Sequence, residues 1–262
     1  MQIRFVSEDS NYLVISLQGI GLEIAKKIGA NGFRTILACR SEARGKSAEK
    51  ALKALGYDVE FRLLDVSQGT DFSSFVAGLD RDYGKVDVLV NNAAILSKHE
   101  DPTPIAAQGK PTLDINFYGT LKLTEAMLPL LRKSSSPRLV NVASQLGHLN
   151  IITKTALRAQ FASADSTLTL PELLSLIAKF QSDLEAGRSR EGWPTGVYGV
   201  YGMSKLGLIA ATKILARQEP SILINACCPG YCDTDMTSHQ GTKSTVHCCV
   251  YIIIVFIRSS KC

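Results

Sequence analysis

Apolar positions along this chain come in two alternating arrangements. Short continuous runs stand at 12–16 (YLVIS), 33–39 (FRTILAC), 59–66, 86–90, 138–143 (RLVNVA) and 222–226. Between them lie longer stretches in which apolar residues recur with helical spacing, at 21–30, 41–55, 71–83, 112–132 and 200–217. A strand with one wet face alternates apolar and polar residues, whereas one buried on both faces reads as an unbroken apolar run. Strands of the second kind separated by helices predict a parallel sheet covered on both sides. Right-handed crossovers then wind the sheet in two directions and leave ligands at the carboxyl ends of its strands. The expected fold class is α/β, a doubly wound parallel sheet, in a single domain spanning 1–262.

The strand ends collect small and polar residues. Gly19 and Gly21 follow the first run, Arg40 the second, and Asp65 and Val66 close the third. Asn91-Asn92-Ala93-Ala94 follow the fourth, Ser144 the fifth and Pro229-Gly230 the sixth. Packing alone does not call for such a set at one sheet edge; a dinucleotide site does. In such sites an acidic residue after the second strand binds the ribose 2′-hydroxyl of NAD, and an arginine accommodates the 2′-phosphate of NADP. That position is Arg40, 19 residues after Gly21, with Arg44 one turn further on. The cofactor expected is NADP(H).

Within 200–217, Tyr201 and Lys205 are spaced i,i+4 and share one helix face. A free tyrosine titrates near pH ~10. An adjacent ammonium favours the phenolate and is expected to bring Tyr201 down toward a range useful for general acid catalysis. Tyr198 competes for the role in the near-repeat Val197-Tyr198-Gly199-Val200-Tyr201-Gly202. Two turns separate it from Lys205, so Tyr201 is the expected acid.

Composition adds limits. Apolar residues make up 45%, charged residues 20%, and the net charge is +5 with no sustained basic run, which argues against nucleic acid as a partner. The 7 cysteines are odd in number and lack zinc-type spacing, and no signal-peptide pattern opens the chain. Reduced thiols, no metal site and a cytoplasmic location are expected.

Five motifs now stand in one order: Asn91-Asn92-Ala93-Ala94, Asn116 in Asn-Phe-Tyr-Gly-Thr, Ser144, Tyr201-x-x-x-Lys205, and Pro229-Gly230 followed by Thr234-Asp235-Met236. On them the chain, from about Gly19 to Ser244, resembles the short-chain dehydrogenase/reductase family, and within it the NADPH-dependent carbonyl reductases. The resemblance implies a Rossmann-like fold and hydride transfer from NADPH to aldehydes, ketones or quinones. It implies Tyr201 as proton donor to the carbonyl oxygen and Ser144 as its hydrogen-bond partner. Lys205 would tune Tyr201 and bind the nicotinamide ribose, and Asn116 would hold a water linking Lys205 to solvent. The cofactor would further meet Gly19, Ile20, Gly21, Arg40, Val66, Asn92, Ala93, Pro229 and Gly230, with Asp65 at the adenine and Thr234 at the nicotinamide carboxamide.

The segment between Ser144 and Tyr201 is longer than in most of the family. Helices are expected near 156–162 and 171–186, followed by Glu191-Gly192-Trp193-Pro194. This resembles the monomeric carbonyl reductases, whose insertion covers the helix face used elsewhere for tetramers, and a monomer is expected. Trp193 is read as a packing residue, with the substrate mouth as the alternative.

Two stretches depart from the family. Its Thr-Gly-x-x-x-Gly-x-Gly loop would place the Thr and first Gly at Val14 and Ile15, and isoleucine cannot take positive φ without strain. Either the loop is short of residues or Ser16-Leu17-Gln18 makes a different turn. After Ser244 the apolar run 247–257 replaces the family's ending. It is too short to span a bilayer, which needs about 20 residues, and is expected as an edge strand or an exposed segment. The rival reading is a catalytically impaired member of the fold that acts as a binding protein.

Overall fold

The computed structural model describes residues 12–16, 19–67, 71–98, 100–188 and 192–258. Leu17 and Gln18, Glu191 and the terminal Ser260-Lys261-Cys262 lie outside the described residues. The expected runs form six parallel strands: β1 Tyr12–Ser16, β2 Arg34–Cys39, β3 Val59–Leu63, β4 Val88–Asn91, β5 Arg138–Val142 and β6 Leu223–Cys227. Their order is β3-β2-β1-β4-β5-β6. The direction of winding reverses between β1 and β4, which pair in parallel from Leu13↔Val88 to Ile15↔Val90. Ligands bind at such a switch point.

Each strand sends alternate residues to opposite faces, so the unbroken apolar runs divide into two cores. Leu37, Val88, Val90, Val140 and Val142 pack with Ile24 and Ile28 of α1 (Gly21–Gly29) and Leu52 of α2 (Glu42–Ala54). Ile36, Leu89 and Leu139 face the other way. They meet Leu79 of α3 (Ser73–Tyr83), Leu113 of α4 (Ile105–Leu113), Met127 of α5 (Thr120–Leu131) and Met203 of the long central helix. The helix expected at 112–132 thus starts earlier, and a π-helical turn, Asp114–Gly119, joins α4 to α5.

The insertion folds as expected, into α6 (Thr155–Ala162) and α7 (Leu170–Glu185). Thr169 and Glu172 form a reciprocal capping box that starts α7. Leu173, Ile177, Phe180 and Leu184 of α7 are buried in the core shared with α8 (Gly196–Gln218). Trp193 is a packing residue: its ring meets Phe180 edge-on at 5.4 Å and its indole N–H donates to Asp183 at 2.9 Å.

Two expectations are corrected. The run 247–257 is not an edge strand but part of the helix α9, Thr245–Arg258, whose Cys248, Cys249 and Ile252 are buried in the core beside α1 while Val250 is exposed. A lone edge strand would pair one side only, whereas a helix satisfies its own main chain and can bury one stripe. The cysteines are not all reduced: Cys232 after β6 is bonded to Cys248 of α9, while Cys39, Cys227, Cys228 and Cys249 are free. Among the described residues no helix is long and apolar enough to cross a membrane.

Candidate active site

A cavity of about 640 Å³ runs along the carboxyl edge of the sheet. Arg40 and Arg44 stand at the end of β2 and the start of α2, and Asp65 and Val66 follow β3. Asn92 and Ala93 follow β4, Ser144 follows β5, and Pro229, Gly230 and Thr234 lie beyond β6; all line the cavity. Gly19, Ile20, Tyr201 and Lys205 line it as well. Of the expected site residues, Gly21 and Asn116 are not in its wall.

β1 continues through Ser16, with Ile15 paired to Leu37 and Ser16 to Ala38. Ile15 is therefore extended strand, and the turn is shifted toward the helix. Gly19 takes the left-handed conformation, φ 58°, immediately before α1. A Cβ at Gly19 would have only Thr234 Cγ2 nearby, at 3.8 Å, so the bare main chain faces the cavity. With the N-terminus of α1 behind it, this cradle suits a pyrophosphate. Arg40 and Arg44 supply two exposed cations for a phosphate at the far end. The residues present fit NADP(H).

α8 carries Tyr201 and Lys205, both buried. Lys205 Nζ lies 5.7 Å from the centre of the Tyr201 ring and donates to the carbonyl oxygen of Val142 at 2.7 Å. Burial lowers Lys205 to about 8, against the opposing pull of Cys228. Burial likewise pushes Tyr201 up to about 12; Cys228 adds to this, and a hydrogen bond with Ser144 opposes it. The expected downward shift of Tyr201 is thus reversed here, because burial disfavours the phenolate more than the hydrogen bond with Ser144 favours it. Ser144 also accepts from the N–H of Leu146 at 3.2 Å, which sets its side chain at the end of β5.

Asn116 sits in the π-helical turn, wholly buried. Its Oδ1 accepts from Ile95 N at 2.8 Å, and its Nδ2 donates to Ile95 O at 2.9 Å and to Ser204 Oγ at 3.1 Å. The side chain clasps the segment after β4 to α8, and its Oδ1 accepts a single hydrogen bond from protein. Asn91 is likewise a clasp, donating to Thr124 Oγ1 and Asn141 Oδ1, both at 2.8 Å.

Cys228 is a member of the site that the sequence reading passed over. Its Sγ accepts from Gln145 N at 3.3 Å and Gly230 N at 3.4 Å, and it lines the cavity with Tyr201 and Lys205. The one signal available was its place directly before Pro229-Gly230.

Residues 13–159 match the family model described as short chain dehydrogenase. Carbonyl reductase (NADPH) 3 of Rattus norvegicus is 37% identical over 235 residues, 87% of this chain and 83% of that protein. Carbonyl reductase (NADPH) 1 of Mus musculus is 36% identical with the same coverage. The solved structure of salutaridine reductase from Papaver somniferum superposes with a TM-score of 0.85 at 26% identity, over 94% of this chain and 95% of that one. With that motif order, that strand order and these relatives, the chain belongs to the short-chain dehydrogenase family.

Proposed function

We propose that this protein reduces the carbonyl group of aldehydes, ketones or quinones with NADPH. The observation that carries the reading is one continuous cavity with Ser144, Tyr201 and Lys205 at one end and Arg40 and Arg44 at the other. NADPH, when bound, supplies the hydride. Tyr201 holds its proton firmly until a carbonyl oxygen beside it gathers charge, and then gives it to that oxygen. Ser144, hydrogen-bonded to Tyr201, donates to the same oxygen and stabilises the developing charge. Lys205, when protonated, places a positive charge under the phenol and favours the tyrosinate left behind. Asn116 positions α8 against the β4 end through Ser204.

The apolar stripe of α7 lies on α8, which supports a monomer: the outer face of α8 is covered within the chain. A cytoplasmic location is part of the same reading.

The test is titration of NADPH and NADH into purified protein, followed by nicotinamide fluorescence, then addition of menadione. Tight NADPH binding, weaker NADH binding and turnover that disappears in Tyr201→Phe are expected. A folded protein that binds neither nucleotide would overturn the reading.

A further inference from the structure

The loop after β6 forms one wall of the cavity through Pro229, Gly230 and Thr234. It then folds back on itself. Asp233 N donates to Lys243 O at 2.8 Å and Lys243 N to Tyr231 O at 3.1 Å, a short parallel bridge between Cys232 and Lys243. Gly241 passes directly beside it: a Cβ there would meet the carbonyl carbon of Cys232 at 2.0 Å. Thr237 Oγ1 donates to the main-chain oxygen of Cys232 at 2.6 Å. Cys232 is thus the base of the loop, and it also lines the cavity.

The disulfide joins that base to Cys248, in the first turn of α9. α9 in turn packs on α1, where Cys249 and Ile252 share a core with Ile24 and Ile28. The N-terminus of α1 carries the cradle at Gly19, and a Cβ there would lie 3.8 Å from Thr234 Cγ2 of the loop. The bond therefore closes a circuit, from the cradle through α1 and α9 to the loop that faces it. A loop already held in its binding conformation binds more tightly, because less freedom is lost on association.

We propose that Cys232 and Cys248 are a thiol–disulfide switch on NADPH affinity, closed by a small disulfide of the glutathione class. The Cys232 thiolate, in the cavity wall, attacks one sulfur of that oxidant, forms a mixed disulfide and releases one thiol. The Cys248 thiolate then attacks the Cys232 sulfur, closes the internal bond and releases the second thiol. Two protein thiols are oxidised, and the oxidant takes up their two electrons and two protons. The closed form binds NADPH more tightly than the open one. In the cytoplasmic location proposed above, disulfides are usually transient and redox-sensing, as a switch requires. The switch rests on the NADP(H) reading of the cavity and adds a control to it.

The experiment titrates NADPH, followed by its fluorescence, into wild type oxidised with glutathione disulfide or reduced with dithiothreitol, and into Cys248→Ser treated both ways. Peptide mass spectrometry confirms the Cys232–Cys248 bond in the oxidised wild type. Reduction of the wild type is expected to raise Kd about 3- to 10-fold, the ordering cost of one or two loop side chains. Cys248→Ser should match the reduced wild type under both treatments. A second reading needs no variant: by linkage, saturating NADPH should lower the midpoint potential of the wild-type disulfide by about 15–30 mV, the same factor at about 30 mV per tenfold. An equal or lower Kd on reduction, an oxidant effect that persists in Cys248→Ser, or a potential that NADPH leaves unmoved overturns the switch and leaves the nucleotide reading standing. A folded protein that binds NADPH in neither state overturns both.

Discussion

Lys205 lies beneath Tyr201, its Nζ 5.7 Å from the ring centre, yet it gives its hydrogen bond to the main chain of Val142. The cation is therefore held by β5 and acts on the tyrosine through space. For reduction the active state has Tyr201 protonated and Lys205 charged. Tyr201 stays protonated up to about 12, so the limb that governs activity is Lys205, whose charge is lost above about 8. The rate of carbonyl reduction is expected to be flat through neutrality and to fall as pH rises past about 8. A profile of kcat against pH with NADPH saturating checks this; a rate still rising at pH ~9 contradicts it.

The same lysine sets a stability trend. Its folded value of about 8 is below the unfolded value of 10.5, so between these the unfolded chain binds more protons than the folded one. Stability contributed through Lys205 therefore rises with pH across that window, by at most about 1.4 kcal/mol per unit. Lys205→Met removes the titrating group, and its urea midpoint should lack this rise between pH ~8 and ~10. Parallel curves for wild type and variant would show that the lysine is not desolvated.

Asn116 makes three hydrogen bonds, two partly buried ones to Ile95 and a buried one to Ser204. Asn116→Ala leaves the N–H and C=O of Ile95 unpaired at about 1–3 kcal/mol each, so a loss of roughly 2–6 kcal/mol is expected. Thermal unfolding reads it directly. Activity per folded molecule should drop less than in Tyr201→Phe, because the side chain positions α8 and does not touch substrate.

Cys232 and Cys248 are separated by 16 residues, and their bond ties the loop after β6 to α9. Closing a loop of this size stabilises by about 3 kcal/mol on the chain-entropy account. Reduction is expected to lower the thermal midpoint of the oxidised protein by several degrees and to change nothing in Cys248→Ser. Equal midpoints with and without reductant in the wild type would contradict the link.

His239 bridges two carboxylates of the same loop, Nδ1 to Asp233 at 2.8 Å and Nε2 to Asp235 at 3.0 Å. Hydrogen bonds to Asp233, then Asp235, raise it above its ordinary value of 6.5. The contribution of this exposed bridge is complete below that ordinary value and is lost as pH rises through the raised one. Protease protection of residues 233–239 should therefore be greater at pH ~6 than at pH ~8.5, and His239→Gln should abolish the difference.

Six strands were legible from their apolar runs, since a strand residue facing either of two cores must be apolar. Tyr201 and Lys205 were legible as one helix face because i,i+4 spacing holds wherever the helix lies. Arg40, Asp65, Ser144 and Pro229-Gly230 could be placed at one edge because parallel topology puts every strand end on the same side. Other features had no local signal. The π-helical turn at Asn116 hides inside a continuous helical pattern, and Cys228 looks like any thiol until Gln145 and Gly230 bring their amides to it.

The sequence by itself determined the α/β alternation, the motif order and the spacing of the reactive side chains, all properties of neighbours along the chain. Tertiary structure alone decided the rest. Apolar residues 247–257 become a helix because α1 and the sheet offer a groove for one stripe, and that docking brings Cys248 to Cys232. Tyr201 moves up instead of down because burial, which depends on every element packed around it, disfavours the phenolate.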